Sequence, residues 1–201
     1  MNRTQLNSIC MEIGIELHIS DDCIKEVKGY YENYNQIEAD DAVWYFSEMN
    51  FEKRPSLEKE GIEKFLSEEE AIKFFFIKTL KKFFFNRIHA PSDPINSVRS
   101  FKELAIVLQQ LDIGDERYSF NQFKPQEIYA EMQADKIIVS YIDKSMQKRF
   151  STMPLEAERG FIVMYRLTFA LHLLKMVEST YLERGMLREE FDDDEIELFI
   201  R

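Results

Sequence analysis

The chain of 201 residues is 45% hydrophobic and holds 17 Phe, 9 Tyr and 9 Met against 6 Gly and 5 Pro, which excludes a disordered or low-complexity polymer. Its length suits one core that buries about 70% of the surface exposed by the unfolded chain, so a single domain over residues 1–201 is expected. With 37 acidic against 26 basic residues the formal charge is −11, a field that weighs against nucleic-acid and anionic membrane partners and favours a basic protein.

Met1-Asn2-Arg3-Thr4-Gln5 lacks the apolar run and small-residue cleavage site of a secretory signal, so a cytoplasmic location is expected. Leu6, Ile9, Cys10 and Ile13 recur at helical spacing, and Gly14 is placed to stop that helix. Ile15, Leu17 and Ile19 alternate with polar residues, as in a brief strand ahead of Asp21 and Asp22. Aromatics gather at Tyr30, Tyr31 and Tyr34 and again at Trp44, Tyr45, Phe46 and Phe51, which predicts a small antiparallel meander reaching Phe65. Gly61 is read as a tight turn, and Pro55 argues against a central strand.

Ser67-Glu68-Glu69-Glu70 has the spacing of a capping box and opens a helix to about Arg87. The aromatics of this helix cover most of its circumference and leave a narrow polar stripe around Lys78 and Lys82, so it is expected to be mostly buried. Pro91 and Pro94 punctuate the chain, and Ser100 caps a helix bearing Phe101, Leu104, Ala105, Leu108 and Leu111 and ended by Gly114. Tyr118–Phe123, Ile128–Met132, Ile137–Ile142 and Arg149–Thr152 are strand-like, with an Asp143-Lys144-Ser145 turn after the third. A helix from about Leu155 to Arg184 closes the chain's second half. Its most apolar window, Phe161 to Leu174, contains Arg166 and His172 and is shorter than the roughly 20 residues that span a bilayer, so it reads as a core helix. The order helix, meander, long helix thus occurs twice, in halves of about 1–95 and 96–201. The expected fold class is α+β, antiparallel sheets packed against long, mostly buried helices.

Recognisable chemistry is sparse. Cys10 and Cys23 have no C-x-x-C spacing, which argues against a disulfide framework and a four-thiolate zinc site. His18, His89 and His172 fall in three separate elements without a second ligand at helical spacing. No nucleophile elbow, phosphate-binding glycine loop or dinucleotide fingerprint occurs, and no EF-hand pattern, so neither cofactor nor metal is expected and the chain reads as a non-enzyme. Arg166 lies close to Leu173 and Val177 on a helical wheel, where a guanidinium needs a carboxylate or carbonyls, or else lines an anion pocket. Trp44 is either an interface anchor or a core residue; by alternation it shares a face with Phe46, and Tyr45 takes the other. Glu189, Glu190, Asp192, Asp193, Asp194, Glu195 and Glu197 form an acidic tail without a basic residue, interleaved with Phe191, Ile196, Leu198 and Phe199. It reads as a solvated end able to dock onto a surface that is both basic and apolar. The expected partner-binding set is Trp44, Phe191, Asp192, Asp193, Asp194, Glu195 and Phe199.

Trp44-Tyr45-Phe46, Lys59-Glu60-Gly61, Phe65 and the acidic cap leading into Ala71-Ile72-Lys73-Phe74-Phe75-Phe76-Ile77 resemble small immunity proteins of bacterial polymorphic toxin systems, over about residues 40–80. The resemblance implies a cytosolic protein that neutralises a cognate toxin domain by binding it. A different class is also compatible with the residues: a small-molecule or anion-sensing domain with a pocket of Phe75, Phe76 and Leu173 around Arg166.

Overall fold

Asn2 accepts the Gln5 amide at 2.9 Å while the Gln5 side chain reaches back to the Asn2 amide. This closed capping box opens helix α1 (Arg3–Ile13) in the computed structural model, which describes residues 1–41, 43–51, 58–89 and 93–201. Leu6, Ile9 and Cys10 form its buried stripe, and Gly14, at φ 86°, supplies the left-handed stop. Strands β1 (Leu17–Ile19), β2 (Cys23–Glu26), β3 (Tyr34–Asp40), β4 (Val43–Asn50) and β5 (Glu58–Phe65) follow as an antiparallel meander in chain order. Ile24 pairs with Ile37 and Ile37 with Phe46, which sets three fully buried side chains in one row across the sheet.

Gly61 is a bulge within β5 and not the expected turn. Phe46 pairs with Glu63 and Glu48 with Glu60, so Gly61 and Ile62 together oppose Ser47, and Gly61 takes the φ of 57° that the extra residue demands. Pro55 and Pro91 lie outside the described residues.

Helix α2 (Glu68–His89) sets the ring of Phe74 4.9 Å from that of Phe46 and 5.1 Å from that of Phe65. Its Thr79 hydroxyl accepts a hydrogen bond from the buried Asn35 side chain. Within the polar stripe, Lys78 pairs with Glu48 at 2.6 Å. Ala71, Ile72, Phe75, Phe76, Ile77 and Leu80 are buried, but Phe83 and Phe85 are exposed, so the helix is mostly buried only along its first half. In the second half Phe84 and Ile88 are buried while the rings of Phe83 and Phe85, on other faces, are not.

A 3₁₀ turn (Asp93–Ser97) leads to α3 (Phe101–Gln109), whose Ser100 cap accepts the Glu103 amide at 3.2 Å. The helix stops before Gly114, because Ile113 returns its amide to the Leu108 carbonyl and Asp112 takes a φ of 57°. The second sheet contains β6 (Tyr118–Ser119), β7 (Glu127–Gln133), β8 (Lys136–Ile142), β9 (Lys148–Ser151) and β10 (Leu155–Glu156). β6 runs parallel to β7, β7 is antiparallel to β8, and β8 also pairs with β9 and β10. Asp143 closes the β8–β9 turn by accepting the amides of Ser145 and Gln147, each at 2.8 Å.

Helix α4 (Ala157–Glu183) has 27 residues and is by length and composition able to cross a membrane, which the shorter window read from the sequence did not anticipate. Most of its apolar stretch is buried inside the protein, as in a core helix. The last element is α5 (Asp193–Ile200).

The chain divides into two compact units: Met1–Phe83 with Thr180–Glu190, and Phe84–Ser179 with Phe191–Arg201. The first holds α1, the meander and α2 as far as Phe83; the second holds α3, the β6–β10 sheet, α4 as far as Ser179, and α5. Each therefore runs helix, sheet, long helix, but only the first sheet is a plain meander.

Gly160 lets α4 approach β8, since a Cβ at this position would lie 2.5 Å from Ile137 Cβ. Gly160→Ala gains about 1 kcal/mol of helix propensity but overpacks against a strand, so a net loss of about 2 kcal/mol is expected in urea unfolding. A rise in stability would mean that α4 and β8 are less closely packed than described.

Candidate functional site

The acidic tail folds into α5 from Asp193 onward, and many of its carboxylates have partners within the chain, although Asp194 and Glu189 stay largely exposed. Asp192 caps α5 by accepting the Glu195 amide at 2.9 Å, and Glu195 returns to the Asp192 amide at 2.9 Å. Asp193 accepts from the Tyr141 hydroxyl at 2.6 Å, from Gln126 at 3.3 Å and from the Lys144 amide. Burial alone would raise its carboxyl, but these hydrogen bonds outweigh burial and hold it below the usual aspartate range. Asp194 and Glu197 pair with Arg149, and Glu189 with Lys73 at 2.9 Å. Phe191 and Phe199 are 3% and 1% exposed, so neither can serve as the surface contact expected of it. Their packing, together with Ile196 and Ile200, is what makes the segment fold.

Beneath this helix lies a buried polar network. Lys175, 6% exposed, donates to Glu178, 5% exposed, at 2.8 Å and to the Gln126 side-chain oxygen at 3.2 Å. Glu178 also accepts the Phe191 amide. The chain leaves the second unit after Ser179 and re-enters it at Phe191. One carboxylate therefore ties the exit to the return.

Trp44 is half-buried on the same sheet face as Phe46, with the Arg3 guanidinium 5.5 Å from its ring centroid. Arg166 is half-buried, donates Nη2 to the His89 carbonyl at 3.2 Å, and keeps a buried Nε without a partner among the described residues. Phe75, Phe76 and Leu173 are fully buried or nearly so. Burial pushes the Cys10 thiol up to about 12, with Glu26 adding to the effect, and burial followed by Glu38 raises Cys23; both cysteines are free. Among the described residues no group of three or more His, Cys, Asp or Glu is arranged to hold a metal ion.

The most exposed aromatic surface lies in the first unit, where the chain between β2 and β3 meets the end of β4. Gly29 and Glu32 close a turn, the Gly29 amide donating to the Glu32 side chain at 3.1 Å and the Glu32 amide to the Gly29 carbonyl at 3.2 Å. The Asn33 side-chain oxygen then accepts the Phe51 amide at 2.8 Å and brings that ring beside the turn. Tyr30 is 91% and Tyr31 59% exposed, and their rings meet edge to face at 4.8 Å. Phe51 stands 6.0 Å from Tyr31 and 6.2 Å from Tyr34. Together with His18, Lys25 and Lys28 these rings line an open cleft of about 560 Å³. Tyr31 has a φ of 69°, a conformation that costs a non-glycine residue about 1–3 kcal/mol. The sequence contained this site as a Tyr-rich run, but strand propensity masked it, because aromatics in strands are usually core residues.

A second concavity, of about 530 Å³, lies on the outer face of the same sheet and is lined by Tyr45, Glu38, Asp40, Cys23 and Lys59 among others. Lys59 pairs there with Glu38. Neither concavity includes Arg166. The aromatic cleft combines exposed rings with the lysines Lys25 and Lys28, an arrangement suited to binding. No family model, curated protein or solved structure matches the chain.

Lys175→Met strands the Glu178 carboxylate in the interior and should cost about 3 kcal/mol; adding Glu178→Gln, which keeps an acceptor for the Phe191 amide, should restore most of it in urea unfolding. An unchanged midpoint for the single variant would mean that the pair is solvated. Tyr31→Gly should raise stability by about 1 kcal/mol by removing the left-handed penalty, which a thermal melt would register as a higher Tm. A fall would show that the ring's contacts outweigh the backbone strain.

Proposed function

We propose that the protein is a non-catalytic binding module that grips a protein partner through the aromatic cleft of its first unit, and that it is a cytoplasmic immunity protein neutralising a cognate toxin by direct contact. The observation that carries this reading is the pairing of Tyr30 and Tyr31, two large and strongly exposed rings held at a turn whose backbone is strained to present them. Exposed tyrosines dominate binding hot spots because they bring large apolar area with few rotatable bonds. Strain kept at an exposed position is compatible with a binding requirement, and here the Tyr31 ring it places also packs on Tyr30 and Phe51. The toxin assignment rests on the resemblance carried by Trp44-Tyr45-Phe46 and Lys59-Glu60-Gly61, which belong to β4 and β5 of the same sheet.

The test is co-expression in a bacterial host with the toxin-like product of an adjacent gene, followed by titration of the purified pair. Wild type should restore growth and inhibit the toxin with a one-to-one end point. Tyr30→Ala/Tyr31→Ala, with an unchanged circular dichroism spectrum, should weaken binding by at least about 2 kcal/mol, or roughly thirtyfold. Protection that is unaffected by the double variant, or that needs far less than one equivalent of protein, would contradict the proposal.

A further inference from the structure

We propose that the aromatic cleft receives an extended segment of the partner protein in which a carboxylate side chain stands beside an aromatic or apolar one. This rests on the cleft being the protein-binding surface and adds the chemistry of what enters it. The rings of Tyr30, Tyr31, Phe51 and Tyr34 follow one another at 4.8, 6.0 and 6.2 Å, a continuous band against which apolar side chains of an extended chain can lie. Its volume of about 560 Å³ accommodates a few side chains and leaves the rest of a partner outside.

The chain carries a net charge of −11, yet the cleft is lined by two lysines, Lys25 and Lys28, and by one carboxylate, Glu26. Glu26 is buried and already engaged: it accepts the Asn35 amide at 2.7 Å and lies 3.3 Å from Lys28 and 3.6 Å from Lys82. Lys25 makes no ion pair among the described residues. Glu32, at the same turn, is held by the Gly29 amide at 3.1 Å, so the charge the cleft leaves uncompensated among the described residues is the Lys25 ammonium. A lysine or arginine entering it would meet like charge, whereas an aspartate or glutamate would find an ammonium beside an aromatic wall.

Three capped octapeptides separate the possibilities, measured by the chemical shifts of Tyr30 and Tyr31 and by anisotropy of a terminal label. One alternates Glu or Asp with Tyr and Leu, a second replaces its acids with Lys, and a third keeps the acids and replaces the apolar residues with Ser. An octathymidylate serves as the nucleic-acid arm. The acidic aromatic peptide should bind about tenfold or more tightly than every other probe. Tyr30→Ala/Tyr31→Ala should abolish that binding, and Lys25→Glu should weaken it about tenfold while improving the lysine peptide. Tyr30→Ser alone, at a position that packs little, guards against a folding artefact. Equal or better binding of the lysine peptide or of the thymidylate overturns the inference, and so does failure of the acidic aromatic peptide to bind. If the lysine peptide binds and the tyrosine variant abolishes it, the cleft remains the binding surface and only its charge preference is wrong. If the tyrosine variant binds the peptides as wild type does, both readings fall.

Discussion

A carboxylate withdrawn from water must find a cation and donors, and Glu178 finds them in Lys175 and in the backbone amide of Phe191. That requirement fixes where the chain re-enters the second unit. Once Phe191 is held, the next residue can act as a helix cap, the apolar side of α5 turns inward, and Asp193 meets the Tyr141 hydroxyl and the Lys144 amide. Gln126 links the two parts of the arrangement, accepting from Lys175 and donating to Asp193. Removing any member strands the others in a poorly solvated space, so the network behaves as a unit.

The consequence for function is a redistribution of charge. The run of acids, expected to be a solvated end, supplies caps, dipole partners and ion pairs, with Asp194 and Glu189 still largely in water. What remains as adhesive surface in the first unit is of another kind: exposed rings at a turn with a left-handed Tyr31, beside Lys25, unpaired among the described residues. Both units bury a carboxylate with its donors, Glu26 in the first and Glu178 in the second, and the first in addition leaves the Tyr30 and Tyr31 rings in water.

The antiparallel meander, the long helices and the Ser100 cap were legible because periodicity and capping report local physics directly. Gly61 was read as a turn because a glycine's left-handed backbone fits a turn or a bulge equally well, and only the register of Phe46 and Glu48 distinguishes them. The helix in the tail, and with it the burial of Phe191 and Phe199, was missed for an instructive reason. Asp192-Asp193-Asp194-Glu195 has the same capping spacing that was recognised at Ser67-Glu68-Glu69-Glu70, and Ile196, Phe199 and Ile200 follow at helical spacing, but the density of charge obscured the pattern. Arg166, singled out on the helical wheel, is half-buried, whereas Lys175, which no sequence signal marked as buried, is the buried cation of α4. A wheel shows which residues share a face; it does not show what that face meets.

Native-state hydrogen exchange of the Phe191, Ile196 and Phe199 amides tests most directly whether the acidic segment belongs to the core. These amides should exchange as slowly as those of central α4 residues such as Leu171, opening only with global unfolding. Exchange near the rate of an unstructured peptide, with α4 still protected, would show that the segment is a free tail and would contradict the account.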